Sequence, residues 1–262
     1  MFKKGAILLL ATAVSFLCAT ERTQAAAATI DQAQLDKGVI KVAYASDAKA
    51  IVRITKDRTT FDYTLAPGAQ YPLQLGNGSY TVLVAEAVSG GKYKVVSQEQ
   101  IDLQMDDEKE VFKQSNPIVQ WNDQTKAVVK AKQLAKNLKS DKEKVQAFYD
   151  YLTKNFTYDE AKAKTVAAGY IPDLDKVYKA NKGICYDFAA TFAAMSRSVG
   201  IPTKLVIGKE SNHPKILHAW NEVYLNGKWV LVDTTYDAAR VQAGQKTPLF
   251  KDAKNYAGTK VY

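Results

Sequence analysis

Residues 183–202 read GICYDFAATFAAMSRSVGIP. Phe188, Phe192, Met195 and Val199 recur at helical spacing and Gly200 with Pro202 supplies a stop, so the stretch predicts a helix that opens at Cys185. In the first turn of a helix, unpaired backbone N–H groups and the macrodipole favour negative charge, and so favour a thiolate over a thiol. Gly183 lets the entering chain come close to the sulfur or to a substrate. On this pattern alone, a small core cysteine fits as well as a nucleophile.

The next segment breaks the tie. Residues 216–237, ILHAWNEVYLNGKWVLVDTTYD, hold two strand-like runs around Asn226-Gly227, the strongest short hairpin signal. A two-residue turn there sets Leu225 opposite Lys228, Trp220 opposite Asp233 and His218 opposite Thr235. His218 and Asp233 then share a face as diagonal neighbours, about 7–8 Å apart along the backbone, which long side chains can bridge. A nucleophilic cysteine needs an adjacent base, and the base needs a third group to fix its tautomer and stabilise its cation. Cys185, His218 and Asp233 supply those three parts. His213 is a competing base, but it precedes proline in the turn SNHPK, a poor place for fixed geometry.

The blocks GICYDFAATFAAMSRSVGIP, HAW and VDTTYD resemble, in order and separation, the three motifs of the transglutaminase-like superfamily; VQAFYDYLTKNFTYD is similar to the helix that precedes the cysteine in microbial members. The resemblance covers roughly residues 120–240. It implies an α+β, papain-like fold in which the cysteine helix packs on an antiparallel sheet, with Cys185 as nucleophile, His218 as general base and acid, and Asp233 as orienting carboxylate. The Cys185 N–H is a natural oxyanion donor at the helix start. A second donor is expected from Tyr158, Tyr170 or Trp121, among which the sequence does not choose. Asp187 follows the family pattern and could equally cap the helix; Trp220 could wall a substrate channel or simply pack in the core. No acidic loops resemble the calcium sites of the animal crosslinking enzymes, and no cofactor is expected.

The amino-terminal half follows other rules. From Gly38 to about Gln104, the runs VIKVAY, AIVRIT, TFDYTL, SYTVLVAEA and KYKVVSQEQIDL are β-branched, aromatic and partly alternating, with turn residues between them. They predict a small all-β, sandwich-like domain that carries no chemistry of its own. The acidic run DDEKE at 106–110 lacks the alternating oxygen ligands and turn glycine of a calcium loop and reads as a solvated linker. After SNP at 115–117 helical periodicity begins: Ala127, Ala131, Leu134 and Leu138, a Ser140/Glu143 capping box, and the stripe Val145, Phe148, Leu152 and Phe156, followed by a short helical turn over residues 173–180. The expected division is a signal peptide over 1–26, a β-sandwich-like domain over 30–115 and a catalytic domain over 117–262, with a fragment starting near residue 117 able to fold alone.

Lys3 and Lys4 precede an apolar run from Ala6 to Ala19 that Glu21 and Arg22 interrupt, too short to span a bilayer and typical of a secretory signal cleaved within residues 25–28. Cys18 follows Leu17 rather than a small residue, which argues against lipidation. Once the signal is removed, Cys185 is the one cysteine of an exported chain and cannot form an internal disulfide; it is buried, crosslinked between molecules or reactive. One cysteine and two histidines cannot close a structural zinc site. The formal net charge of +9 comes largely from lysines spread over predicted helices, which reads as solvated faces, with attraction to an anionic cell surface as the alternative. No aromatic-basic pattern suggests nucleic acid, and no later segment is apolar enough to span a membrane. The expectation is a secreted or cell-surface cysteine enzyme that forms an acyl-thioester from a peptide or amide carbonyl and hydrolyses it. The alternatives are a crosslinking transglutaminase that uses an amine acceptor, and a non-catalytic binding module whose β domain meets a cell-wall or cell-surface partner.

Overall fold

The computed structural model describes residues 28–262, so the expected signal peptide and Cys18 lie outside the described residues. Seven strands come first: β1 (Thr29–Asp31), β2 (Val39–Ala43), β3 (Ala50–Lys56), β4 (Thr59–Thr64), β5 (Gln70–Pro72), β6 (Gly78–Ala87) and β7 (Tyr93–Leu103). They form two antiparallel sheets, ordered β1-β2-β5 and β4-β3-β6-β7. Alternation sends Val52 and Ile54, Phe61 and Tyr63, and Tyr80, Val82 and Val84 inward from the larger sheet to meet Ile40 and Val42 from the smaller one. The five runs read as strands are β2, β3, β4, β6 and β7; β1 and β5, at three residues each, are too short to show a period.

The acidic run 106–110 is exposed or half-buried, as a solvated connector would be, but it has regular structure. It enters a 3₁₀ segment, Glu108–Lys113, that buries Val111 and Phe112, while the Glu108 carboxylate accepts the Asn77 N–H at 2.8 Å.

The rest of the chain mixes helices and strands: α1 (Lys126–Ala135), α2 (Asp141–Asn155), β8 (Thr157–Tyr158), α3 (Glu160–Thr165), α4 (Leu174–Ala180), β9 (Lys182–Gly183), α5 (Cys185–Arg197), β10 (Thr203–Glu210), β11 (His218–Leu225), β12 (Lys228–Val232), α6 (Thr234–Gln242) and β13 (Tyr256–Val261). Ser140 and Glu143 form the reciprocal capping box that starts α2, and Val145, Phe148, Leu152 and Phe156 are all buried along one side of it. A second antiparallel unit, ordered β12-β11-β10-β13, receives α5 against β10 and β11. The architecture is α+β: a helix carrying the cysteine packs on an antiparallel sheet, after an all-β region.

Helix α5 has two buried faces. Phe188, Phe192 and Met195 enter a cluster with Phe148, Leu152 and Phe156 of the α2 stripe. Ala189, Ala190, Ala193 and Ala194 enter the cluster that contains the sandwich core. Small residues on that face let the backbone of α5 come close to its neighbours, and the aromatic residues on the other face supply bulk. This common core works against the independence expected of a fragment that starts near residue 117. Arg197, at the end of α5, is buried and donates to three main-chain oxygens, those of Thr203 (2.9 Å), Gln114 (3.0 Å) and Tyr262 (2.8 Å), tying the connector and the last strand to the helix.

Candidate active site

The approach to Cys185 is set by a short parallel bridge. Tyr158 of β8 pairs with Gly183 of β9, with N–H groups of Thr157 and Asp159 donating to the carbonyls of Asn181 (3.0 Å) and Gly183 (2.8 Å). Asn181, with φ of 47° in the left-handed region, ends α4 and turns the chain into β9. Two residues later α5 begins, with Cys185 as its first residue.

Asp187 fixes this helix start. Its fully buried carboxylate accepts the Ile184 N–H at 2.8 Å, the half of a capping box that an N3 acid supplies. It also accepts from Lys162 Nζ and from the Tyr170 hydroxyl, both at 2.6 Å. A Cβ at position 183 would stand 2.6 Å from the Asp187 Cβ, so the glycine makes room for this carboxylate rather than for the sulfur.

The hairpin β11–β12 turns at Asn226 and Gly227, both at positive φ (50° and 82°), as a two-residue primed turn requires. Leu225 faces Lys228, and the ladder runs without a bulge to Asn221 opposite Val232. There it ends. Asp233 leaves the strand as the N-cap of α6, its Oδ1 accepting the Tyr236 N–H at 3.0 Å. Thr235 is therefore helical and does not face His218, which pairs with Gly208 of β10 instead. The reading of VDTTYD as continuing strand missed that Asp followed by Thr-Thr-Tyr-Asp is also a helix start.

The side chains nonetheless meet. His218 Nε2 lies 2.7 Å from Asp233 Oδ2, the carboxylate is fully buried, and the imidazole is 17% exposed. The Cys185 thiol is close enough to the same imidazole to act on its protonation. Burial alone would pull the His218 pKa down, but the hydrogen bonds and charges of Asp233 and Cys185 outweigh it and push the value up to about 10. A protonated imidazole beside sulfur is the form that holds a thiolate.

Trp220 is buried with Val206 and Leu231, its ring 5.1 Å from that of Tyr256 and stacked at 6.1 Å on the His218 ring. It packs in the core and braces the imidazole from that side. His213 instead sits on the exposed loop after β10, its Nδ1 3.2 Å from the Glu210 carboxylate. Among the three hydroxyl and indole donors, Tyr170 is committed to Asp187. The Trp121 indole nitrogen is buried without a partner among the described residues. Tyr158 is 37% exposed; burial first, then the charge of Cys185, raise its pKa and keep the phenol protonated.

Two members of this neighbourhood escape the sequence. Tyr256 of β13 donates to Asp233 Oδ2 at 3.1 Å from a stretch, YAGTKV, with no motif to mark it. Lys162 reaches Asp187 from α3, a six-residue helix whose lysines read as solvated. Only the pairing of β10 with β13, and the return of the chain over α5, bring these side chains inward.

Residues 130–234 match the family model of the transglutaminase-like superfamily, as the motifs imply: this stretch is a transglutaminase-like domain. The chain is also similar to the human kyphoscoliosis peptidase, 30% identical over 111 residues that make up 39% of this chain and 17% of that protein, and to its mouse counterpart at 32% over 113 residues. It thus spans about a sixth of the length of these relatives. Among solved structures, a TGase aligns over 42% of this chain and 30% of its own at 29% identity and a TM-score of 0.35. The periplasmic domain of TgpA from Pseudomonas aeruginosa aligns over 84% of this chain and 99% of its own, at 15% identity and a TM-score of 0.41.

Proposed function

We propose that the protein is an exported cysteine-dependent hydrolase that cleaves a peptide or amide bond through an acyl-thioester on Cys185. The observation that carries this reading is one arrangement: a cysteine at the first residue of α5, an imidazole near enough to feel that cysteine, and a buried carboxylate 2.7 Å behind the imidazole. The name of the human and mouse relatives, a peptidase, supports water as acceptor, and the signal-like residues 1–26 support export.

In this mechanism the Cys185 thiolate attacks the carbonyl carbon. The developing oxyanion takes a hydrogen bond from the Cys185 N–H at the helix start and a second from the Tyr158 hydroxyl, which feels the charge of Cys185. Protonated His218 gives its proton to the leaving amine as the C–N bond breaks. Water then attacks the thioester, His218 accepts its proton, and the acid departs as Cys185 is restored. Asp233 keeps the imidazole in the required tautomer and stabilises its cation.

The protein, incubated with a peptide library with and without a primary amine and followed by mass spectrometry, tests the reading. Cleaved peptides that disappear in Cys185→Ala are expected; amine adducts would make it a transferase instead. No Cys185-dependent product from a folded protein would contradict both.

A further inference from the structure

Asp187 poses an electrostatic problem that the mechanism leaves open. Its carboxylate is fully buried in the same helical turn as Cys185. A buried negative charge two residues from the sulfur disfavours a thiolate there. Among the described residues, the one cation in contact with that carboxylate is Lys162, whose Nζ is 2.6 Å from Asp187 Oδ2 and 2.6 Å from the Tyr170 hydroxyl. Both partners come from the segment between β8 and α4, so one carboxylate pins this segment to the helix start at two points, Lys162 and Tyr170.

We propose that Lys162 is a positioning residue that cancels the Asp187 charge and thereby preserves the Cys185 thiolate, leaving Asp187 free to cap the helix. The inference deepens the proposed function by naming what keeps its nucleophile reactive. The charged and titratable groups around the two residues come from every flanking element. His218 of β11 faces the sulfur, with Asp233 behind it and Tyr256 of β13 behind that. Tyr158 of β8 feels both Cys185 and Asp187. Tyr186 of α5 and Tyr170 both feel Asp187. His218 is the thiolate's cationic partner, and Lys162 is the partner of the competing anion.

The test measures the pH dependence of iodoacetamide labelling on the full chain, read by mass spectrometry at the peptide that carries Cys185, and needs no substrate. In Lys162→Met the midpoint of labelling should move up by about one pH unit, about a tenfold slower reaction at pH values below the wild-type midpoint. Lys162→Arg should keep the wild-type profile, and Lys162→Met/Asp187→Asn, which lacks both charges, should recover it. Asp187→Asn alone should move the midpoint down, and this arm holds even if Lys162→Met does not fold by circular dichroism. A Lys162→Met profile equal to wild type overturns the proposal. So does a double variant as slow as Lys162→Met, which would mark the lysine as merely structural. Peptide turnover measured beside the labelling separates this inference from the reading it rests on: altered labelling without any Cys185-dependent turnover leaves Lys162 in its role and removes the hydrolase.

Discussion

The two halves of the molecule bury different things. In the sandwich, residues 29–103, the interior is aliphatic and aromatic, and among the described residues Gln74 is its single buried polar side chain. In the region from α1 to β13 the interior also holds Asp187, Arg197, Glu210, Asn221, Asp233 and Asp237. Buried charge costs stability unless it is paired, so its concentration in one half marks where the fold spends stability on chemistry. Each such group has partners: Asp233 has His218, Tyr256 and the Tyr236 N–H, and Asp237 has Tyr149 at 2.7 Å together with Lys251. The sandwich takes the opposite role, an apolar body whose Phe61 and Tyr63 pack against Tyr262 at the end of the chain.

The sharpest way to test the contrast is to remove one atom from the charged half. Cys185→Ala should abolish turnover while leaving the thermal midpoint nearly unchanged, because Cys185 is only partly buried and adds little to the core. Steady-state kinetics beside a thermal melt checks both parts.

Asp233→Asn comes next, with a fall in kcat of about 10 to 10³. The amide favours the wrong imidazole tautomer and no longer stabilises the cation, but a thiol ionises more readily than a hydroxyl and depends less on its base. Asparagine caps helices nearly as well as aspartate, so α6 and the circular dichroism spectrum should survive. The same variant sharpens the pH behaviour. With the His218 pKa raised from 6.5 to about 10, its contribution to stability is fully present below pH 6.5 and is lost as pH rises through about 10. Activity that needs protonated His218 as acid should show an alkaline limb near pH 10, and Asp233→Asn should move that limb to lower pH. An unmoved limb in a kcat/KM profile would dissociate Asp233 from the imidazole.

Much of this was legible in the sequence because it rests on local rules. The period of α5, the Ser140 capping box and the Asn226-Gly227 turn each write their geometry into a few adjacent residues. The pairing of His218 with Asp233 followed from the turn even though the ladder ends one residue before the aspartate. Contacts made by chain crossings were not legible: the β10–β13 pairing that brings Tyr256 to Asp233, the return of Lys162 to Asp187, and the packing of Tyr262 on Phe61 and Tyr63 of the sandwich. No pattern within either segment encodes which other segment it will meet.

In the apolar half, Ile54→Ala should cost about 2–5 kcal/mol of stability by opening a cavity, yet leave kcat unchanged at temperatures where the variant is folded. A fragment starting near residue 117 should lose cooperative unfolding in a melt, since it strips Tyr262 of Phe61 and Tyr63 and Arg197 of the Gln114 carbonyl. A cooperative, active fragment would show that the shared core is dispensable and the two halves are separate domains. The smallest effect is expected of Tyr158→Phe, about tenfold in kcat with KM held and iodoacetamide labelling of Cys185 unaltered, since alkylation develops no oxyanion.

The central claim is that an acyl group passes through the sulfur of Cys185. The direct measurement is mass spectrometry of protein quenched in acid during turnover of a substrate found in the library. The account predicts an acyl mass added to the peptide that carries Cys185, absent in Cys185→Ala and lost as substrate is exhausted. Turnover that persists in Cys185→Ala, with no acyl adduct on the wild-type cysteine at any time, would contradict it.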